Sequence, residues 1–252
     1  MRVLNLLSHG PLDYLEVDRL QRFVHGEVAA ERVPDTLILW EAQPVYTAGR
    51  RTKAADIPNR DIPVIQMDRG GSVTFHGPGQ LVVYPIIRVR PPQDVVAFVR
   101  NTETALISAL TEIGISTSQV PGRSGVWVQR PGVIDRKLCA IGIKFAAETT
   151  MHGIALNVTT DTSQFQQVVP CGISDAGVVS LQELGIDLSL PEVAELIVPA
   201  LASTYQNFAR REYTPLTTMT AAETATTREQ AAQAQLVVPA GTGIRWQAQE
   251  EQ

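Results

Sequence analysis

Cys171 stands between Pro170 and Gly172 in VVPCGISDAGVVSL, a turn-forming context that can hold a sulfur at the lip of a pocket. A thiolate so placed would suit a nucleophile; the competing reading is an ordinary turn cysteine. The second candidate is Lys137 in RKLCAIGIK. On a strand, period two puts Lys137, Cys139, Ile141 and Ile143 on one face, so the lysine is set among apolar neighbours. Buried, its pKa would fall and it could exchange protons near neutrality; at a strand end, its ammonium would reach water instead. Cys139 is the rival thiol, but its flanks Leu138 and Ala140 mark it as a small buried hydrophobe.

A third stretch, RGGSVTFHGPGQ, carries glycines at 70, 71, 77 and 79 beside Arg69 and His76. Such backbone can approach a ligand closely and cradle an oxygen atom; a tight hairpin would use the same residues. The stretch matches neither the dinucleotide fingerprint nor the phosphate-binding loop, which also requires a lysine. His76 by itself decides nothing. His9, His25, His76 and His152 have no short ligand spacing and there is no CxxC pair, so no metal is expected.

These residues need a scaffold. The apolar pattern predicts strands at Val3 to Leu7, Thr36 to Trp40, Val64 to Met67, Val73 to Phe75, Leu81 to Ile87, Gly125 to Val128, Lys137 to Phe145 and Ile154 to Thr159. Helices are expected over Leu12 to Val28, over Val95 to Ile113 with Asp94 as N-cap, and after Ser189, which has capping-box spacing to Glu192; Pro199 would kink that last helix. The expected fold is a mixed β-sheet flanked by helices, an α/β domain over residues 1–214. Residues 215–252 follow as a Thr-, Ala- and Gln-rich, partly mobile tail in which LVVPAGTGIRW could dock locally. With 21 Lys+Arg against 26 Asp+Glu, the net charge of −5 gives no global reason to expect a nucleic acid or membrane partner. The N-terminal apolar run breaks at His9, Pro11 and Asp13 before reaching signal-peptide length, and two cysteines fit free thiols in a reducing compartment; a cytoplasmic protein is expected.

Taken together, RGGSVTFHGPGQLVVYPI, RKLCAIGIKF, HGIALNV and PCGI resemble, in order, the motifs of the lipoyl(octanoyl) transferases, over roughly residues 10–210. HGPGQ is the most specific part, because the related lipoate ligases continue differently after the histidine. TAGRR, residues 47–51, resembles a loop of the wider biotin and lipoate ligase superfamily, whose fold is implied here. The resemblance implies transfer of an octanoyl group from octanoyl-acyl carrier protein to a lysine of lipoyl domains, those of 2-oxoacid dehydrogenase complexes and the glycine cleavage H protein. Cys171 would carry the acyl group as a thioester and Lys137 would be its proton-transfer partner, with no nucleotide and no cofactor. Arg69, Gly70, Gly71, Ser72, Val73, Thr74, Phe75 and His76, with Ala140, Ile141, Gly142, Gly153, Ile154 and Ala155, would line the substrate site. Cys139 stands where the family often has alanine or another small residue. Since carrier and lipoyl domains are acidic, a local basic patch from Arg50, Arg51, Lys53, Arg60 and Arg69 is expected to dock them. Two rival readings remain: an ATP-dependent lipoate or biotin ligase, which needs no Cys171, and a non-catalytic module that binds the same partners without turnover.

Overall fold

The computed structural model describes residues 1–57, 59, 62–168, 175–212 and 215–245. Cys171 and Arg60 lie outside them.

The chain opens as the periodicity predicts. β1 (Arg2–Asn5) and β2 (Thr36–Trp40) pair in parallel, with Val3 opposite Leu37, and α1 (Tyr14–Ala29) connects them. Asp13 starts that helix by accepting from the Leu15 and Glu16 amides, which have no partner within the helix. Next come β3 (Val45–Ala48), β4 (Val64–Gln66) and β5 (Thr74–His76), which form a separate small sheet in the order β4-β3-β5.

β6 (Gln80–Ile86) returns to the large sheet, antiparallel to β2. α2 (Val95–Glu112) follows, with Asp94 accepting from the Ala97 amide. Then come β7 (Ser118–Val120), β8 (Arg123–Val128), β9 (Arg136–Ala146) and β10 (Thr149–Asn157), and after them β11 (Gly177–Val178), α3 (Leu190–Gln206), β12 (Thr217–Thr218) and α4 (Ala221–Gln233). The large sheet runs β12-β1-β2-β6-β10-β9-β8-β7, with β11 also paired to β9. α3 starts at the Ser189–Glu192 capping box and carries Pro199 inside it.

Helices cover both faces of the large sheet. α2 and α3 bury Phe98, Leu106, Ile197 and Leu201 with Leu81, Val83 and Leu156 on one side. α1 packs Val17, Leu20 and Val24 with Ile38, Val82 and Ile86 on the other. A third core, Tyr46, Val64, Val73, Phe75 and Phe165, belongs to the small sheet.

Sequence reading sets the C-terminal residues apart as a tail, yet much of that tail is tied to the body. β12 extends the large sheet at β1, and α4, capped by Thr220 and Glu223, buries Ala231 with the α1 core. Arg19 of α1 donates to the carbonyls of Ala231, Ala232 and Ala234, and Arg228 pairs with Glu16. Farther on, Gly243 and Ile244 exchange backbone hydrogen bonds with Gln66 of β4. α4 escaped the periodicity argument because AAETATTREQAAQ has no large apolar stripe; caps and carbonyl bonds hold it. Among the described residues, no helix is long and apolar enough to cross a membrane, and no group of His, Cys, Asp or Glu is arranged to hold a metal ion.

Candidate active site

The glycine-rich stretch is organised by its own arginine. Arg69 is buried, and its guanidinium donates to the carbonyls of Thr47 (2.6 Å), Gly70 (3.0 Å) and Ser72 (2.8 Å). The preceding loop is laced to the same turn: Gly49, Arg50 and Arg51 donate their amides to the carbonyls of Ser72, Arg69 and Gly71. Arg69 therefore builds the loop from inside, and it does not join the surface patch expected of it. Arg50, Arg51 and Lys53 are exposed.

Beneath this loop lies a narrow cavity of about 40 Å³, bounded by residues 69–72, Thr74, His76, Ala140, Ile141, Gly142, Gly153, Ile154 and Ala155. Most residues expected at the substrate site thus meet around one space. Val73 and Phe75 do not; alternation along β5 turns them into the small-sheet core, opposite Thr74 and His76. Gly142 and Gly153 face each other in the β9–β10 ladder. At Gly153 a Cβ would sit 2.0 Å from the Val83 carbonyl oxygen, so a side chain there would push β6 away.

Tyr14, Val82, Tyr84 and His152 complete the wall. The sequence signals for them were present, in HGIALNV for His152 and in the β6 alternation Val82–Tyr84, but nothing local separates such residues from ordinary core.

Beside Arg69, the titratable groups on the inner wall of this cavity are held in their neutral forms. Burial pushes the hydroxyl pKa of Tyr14 up and that of Tyr84 well up. Burial, then the charge of Arg69, pushes His76 down to about 3. Both effects favour the neutral form. Gln80 fixes the His76 tautomer: its amide nitrogen donates to Asn157 Oδ1 (2.9 Å), so its oxygen faces His76 Nδ1 (2.7 Å), which must carry the proton. His76 Nε2 is left as a buried acceptor without a hydrogen-bond partner among the described residues. Its ring stacks on Tyr14, with centroids 5.4 Å apart.

Lys137 lies just outside, in a wider groove of about 290 Å³ that shares Gly71, Ser72 and Ile141 with the cavity. It is buried at 6% exposure, and its Nζ lies 4.6 Å from the Trp127 ring centroid. Gly125 makes the room. It adopts φ +121°, and a Cβ there would meet the Cys139 carbonyl oxygen at 2.5 Å and the Lys137 stem at 3.4 Å. Its amide donates to Glu103, a buried carboxylate paired with Arg100.

The shared face predicted for Lys137 and Cys139 does not exist. Against β8 the register shifts, so that Val126 opposes Cys139 while Trp127 opposes Lys137, and the extra residue, Leu138, breaks the alternation. Leu138 and Cys139 consequently both enter the main core. Burial pushes the Cys139 thiol up to about 12, which makes it an inert packing group.

Residues 13–202 match the lipoyl protein ligase A/B catalytic domain. The octanoyltransferase of Acidothermus cellulolyticus is 48% identical over 194 residues, 77% of this chain and 88% of that protein. The chain belongs to the octanoyltransferase family. Another member, the octanoyltransferase of Mycolicibacterium smegmatis, is 50% identical over 76% of this chain and 85% of its own. A bipartite lipoate protein ligase from Thermoplasma acidophilum superposes with a TM-score of 0.60 at 16% identity, over 92% of this chain and 91% of that one, and shares the fold. The family makes this chain an acyltransferase of the lipoyl-related class, built on a mixed-sheet α/β fold shared with a lipoate ligase.

In this octanoyltransferase-family chain the cavity wall is braced from behind by ions. Asp68 accepts from Arg22 (2.8 Å), Lys144 (2.6 Å) and His152 Nε2 (2.9 Å), and Arg22 also holds Asp18. Burial opposes ionisation of Asp68, but the bonds from His152, Arg22 and Lys144 outweigh it and hold the carboxyl far below the usual carboxylate range. Burial lowers His152 as well, against the pull of Asp68. His152 sits at φ +58° within β10, a conformation imposed by its bonds to Asp68 and Gln21 just where Gly153 must pass β6.

Proposed function

We propose that this protein transfers an octanoyl group from octanoyl-acyl carrier protein to a lysine of lipoyl domains, through a thioester on Cys171, in the cytoplasm. The observation that carries this reading is the narrow cavity adjoining the groove of Lys137: inside, glycine backbone, neutral hydroxyls and imidazoles give an apolar chain a place to lie, and the Lys137 side chain stands at the mouth. The flanks of Cys171 agree with it. Asp175 is bonded to Arg123 and Val178 pairs with Lys137 in register, so the chain leaving that segment is tied to the strands that carry the lysine.

In the first half, the Cys171 thiolate attacks the donor thioester carbon, its C–S bond forms, the carrier C–S bond breaks, and the departing carrier sulfur takes a proton from the Lys137 ammonium. In the second, the neutral acceptor amine attacks the Cys171 thioester, the amide C–N bond forms and Cys171 leaves as thiolate. The amine proton passes to Lys137 and the starting state is restored. The donor is already activated, so no nucleotide enters. Lipoyl domains of 2-oxoacid dehydrogenases and the glycine cleavage H protein are the acceptors in this reading; the Thermoplasma ligase was described with its E2 lipoyl domain.

Incubation with an octanoyl thioester and no nucleotide should raise the intact-protein mass by one octanoyl group. The adduct should vanish in Cys171→Ser and persist in Cys139→Ser; an adduct confined to Cys139 would overturn the assignment.

A further inference from the structure

The C-terminal residues reach the small sheet beside the strand that leads into the cavity wall. β4 is three residues long and pairs with β3 on one side, which would leave the Gln66 amide and carbonyl as an open strand edge. Residues 243–245 close it. The Gly243 amide donates to the Gln66 carbonyl (2.7 Å), the Gln66 amide donates to the Ile244 carbonyl (2.8 Å), and Arg245 forms an antiparallel bridge with Ile65. The C-terminal segment thus adds a short strand outside β4.

The segment arrives from a firm anchor. The last carbonyls of α4, which have no partner within the helix, accept from Arg19 of α1 at Ala231 (2.9 Å), Ala232 (3.2 Å) and Ala234 (2.6 Å). Ala234 leaves the helix extended, at φ −66° and ψ 139°. The chain beyond it is largely exposed, with Val237 at 97%, until a turn from Pro239 to Thr242 brings Gly243 beside Leu15 of α1. Because α4 tethers the segment, its docking is intramolecular, and two backbone hydrogen bonds at a strand edge suffice to hold it.

Gln66 is where that grip matters. Met67, next in sequence, is buried in the α1 core and donates its amide to Ala48 of β3. Asp68 follows, bonded to Arg22, Lys144 and His152, and then residues 69–72 bound the cavity. The added strand therefore fixes the segment that feeds the glycine-rich loop. It lies beyond residues 13–202, which match the family domain.

We infer that residues 243–245 are a positioning strap for the acyl cavity: by extending the sheet at β4 they hold the entry to residues 68–72, and with it the cavity's shape and its affinity for an acyl chain. The use of the cavity by an acyl chain rests on the function proposed above; the strand addition does not.

The test uses the full chain, a chain ending at Ala234, which keeps α4, and two point variants. Gly243→Pro breaks the strap alone, because Gly243 adopts φ +79° and donates its amide, and proline can do neither. Val237→Ser, in the exposed linker, is the control. Amide exchange followed by mass spectrometry should be at least about tenfold faster over residues 64–72 in the shortened chain and in Gly243→Pro, with β2 and β6 unchanged. In single-turnover acylation, the half-saturating concentration of octanoyl-pantetheine should rise about fivefold in both, while the rate at saturation stays within about twofold, since the loss is one of binding common to ground and transition states. Val237→Ser should match the parent in both measurements. Unchanged exchange over residues 64–72 would overturn the strap. Faster exchange there with an unchanged half-saturating concentration would overturn its positioning role, and an equal rise across β2 and β6 would overturn it in favour of a loss of global stability. If the parent accepts no octanoyl group, the transfer reading falls, and the exchange result alone upholds or overturns the strap.

Discussion

Acidification should destabilise this protein in a way that can be traced to His76. Burial and Arg69 depress its folded-state pKa to about 3, so the native state keeps the ring neutral while the unfolded chain protonates it near 6.5. A group whose folded pKa is depressed contributes its full stability above the unfolded value and loses it as pH falls toward the folded one. Between pH 7 and pH 5 the unfolded state gains roughly 2 kcal/mol from that proton and the native state gains almost nothing. With a urea m-value of about 3 kcal/mol/M, the midpoint should fall by about 0.6 M over that interval from this residue alone. His25 and His152 are also depressed by burial and will add to the slope, so the measurement is a difference: urea unfolding of the parent and of His76→Phe at both pH values. The substitution loses the bond to Gln80 and will lower stability at every pH, but its pH dependence should be shallower by about 2 kcal/mol. Equal slopes, or an NMR titration placing the His76 ring near 6.5, would refute the claim that the cavity wall excludes charge.

Two further outcomes follow from packing. Gly125→Ala should destabilise the protein by roughly 3 kcal/mol, because its Cβ meets the Cys139 carbonyl at 2.5 Å and φ is positive; the melting temperature should fall and single-turnover acylation should slow with the displacement of Lys137. Asp68→Asn should cost roughly 3–5 kcal/mol in chemical denaturation, since Arg22 and Lys144 lose a shared buried counter-charge, and pairing it with Arg22→Met should recover part of the loss.

Much of this architecture could be read from local pattern. The strand–helix–strand opening, α2 behind Asp94 and α3 behind the Ser189–Glu192 box all follow from periodicity and capping, which act within a few residues. Features set by distant partners could not be read. Val45, Tyr46 and Thr47 favour a strand, but VYTA is too short to show a period, and its place between β4 and β5, with Arg69 bonded to Thr47, is set by distant partners. The bulge at Leu138 exists only against β8, so period two misassigned the face of Cys139. At the site, HGPGQ led to the cavity, while Tyr14 and Tyr84 join it only because α1 lies across β6 and β10.

Charge is placed differently on the two sides of the glycine-rich loop. Arg69 and Asp68 adjoin the cavity in sequence, yet each is fully engaged inward, the first by three backbone carbonyls and the second by three cationic or imidazole donors. Their hydrogen-bonding capacity goes into shaping the loop and bracing the wall, and little of it faces the cavity. The basic residues a few positions away in TAGRRTK have their backbones pinned to the same loop by the Gly49, Arg50 and Arg51 amides, but their side chains point outward without ion-pair partners among the described residues. Pinning the backbone places the cations at the cavity mouth, and leaving the side chains unpaired keeps their attraction available to a partner. A chain of net negative charge thus keeps a cluster of outward-facing cations at one rim while the hydroxyls and imidazoles of the adjoining cavity stay neutral.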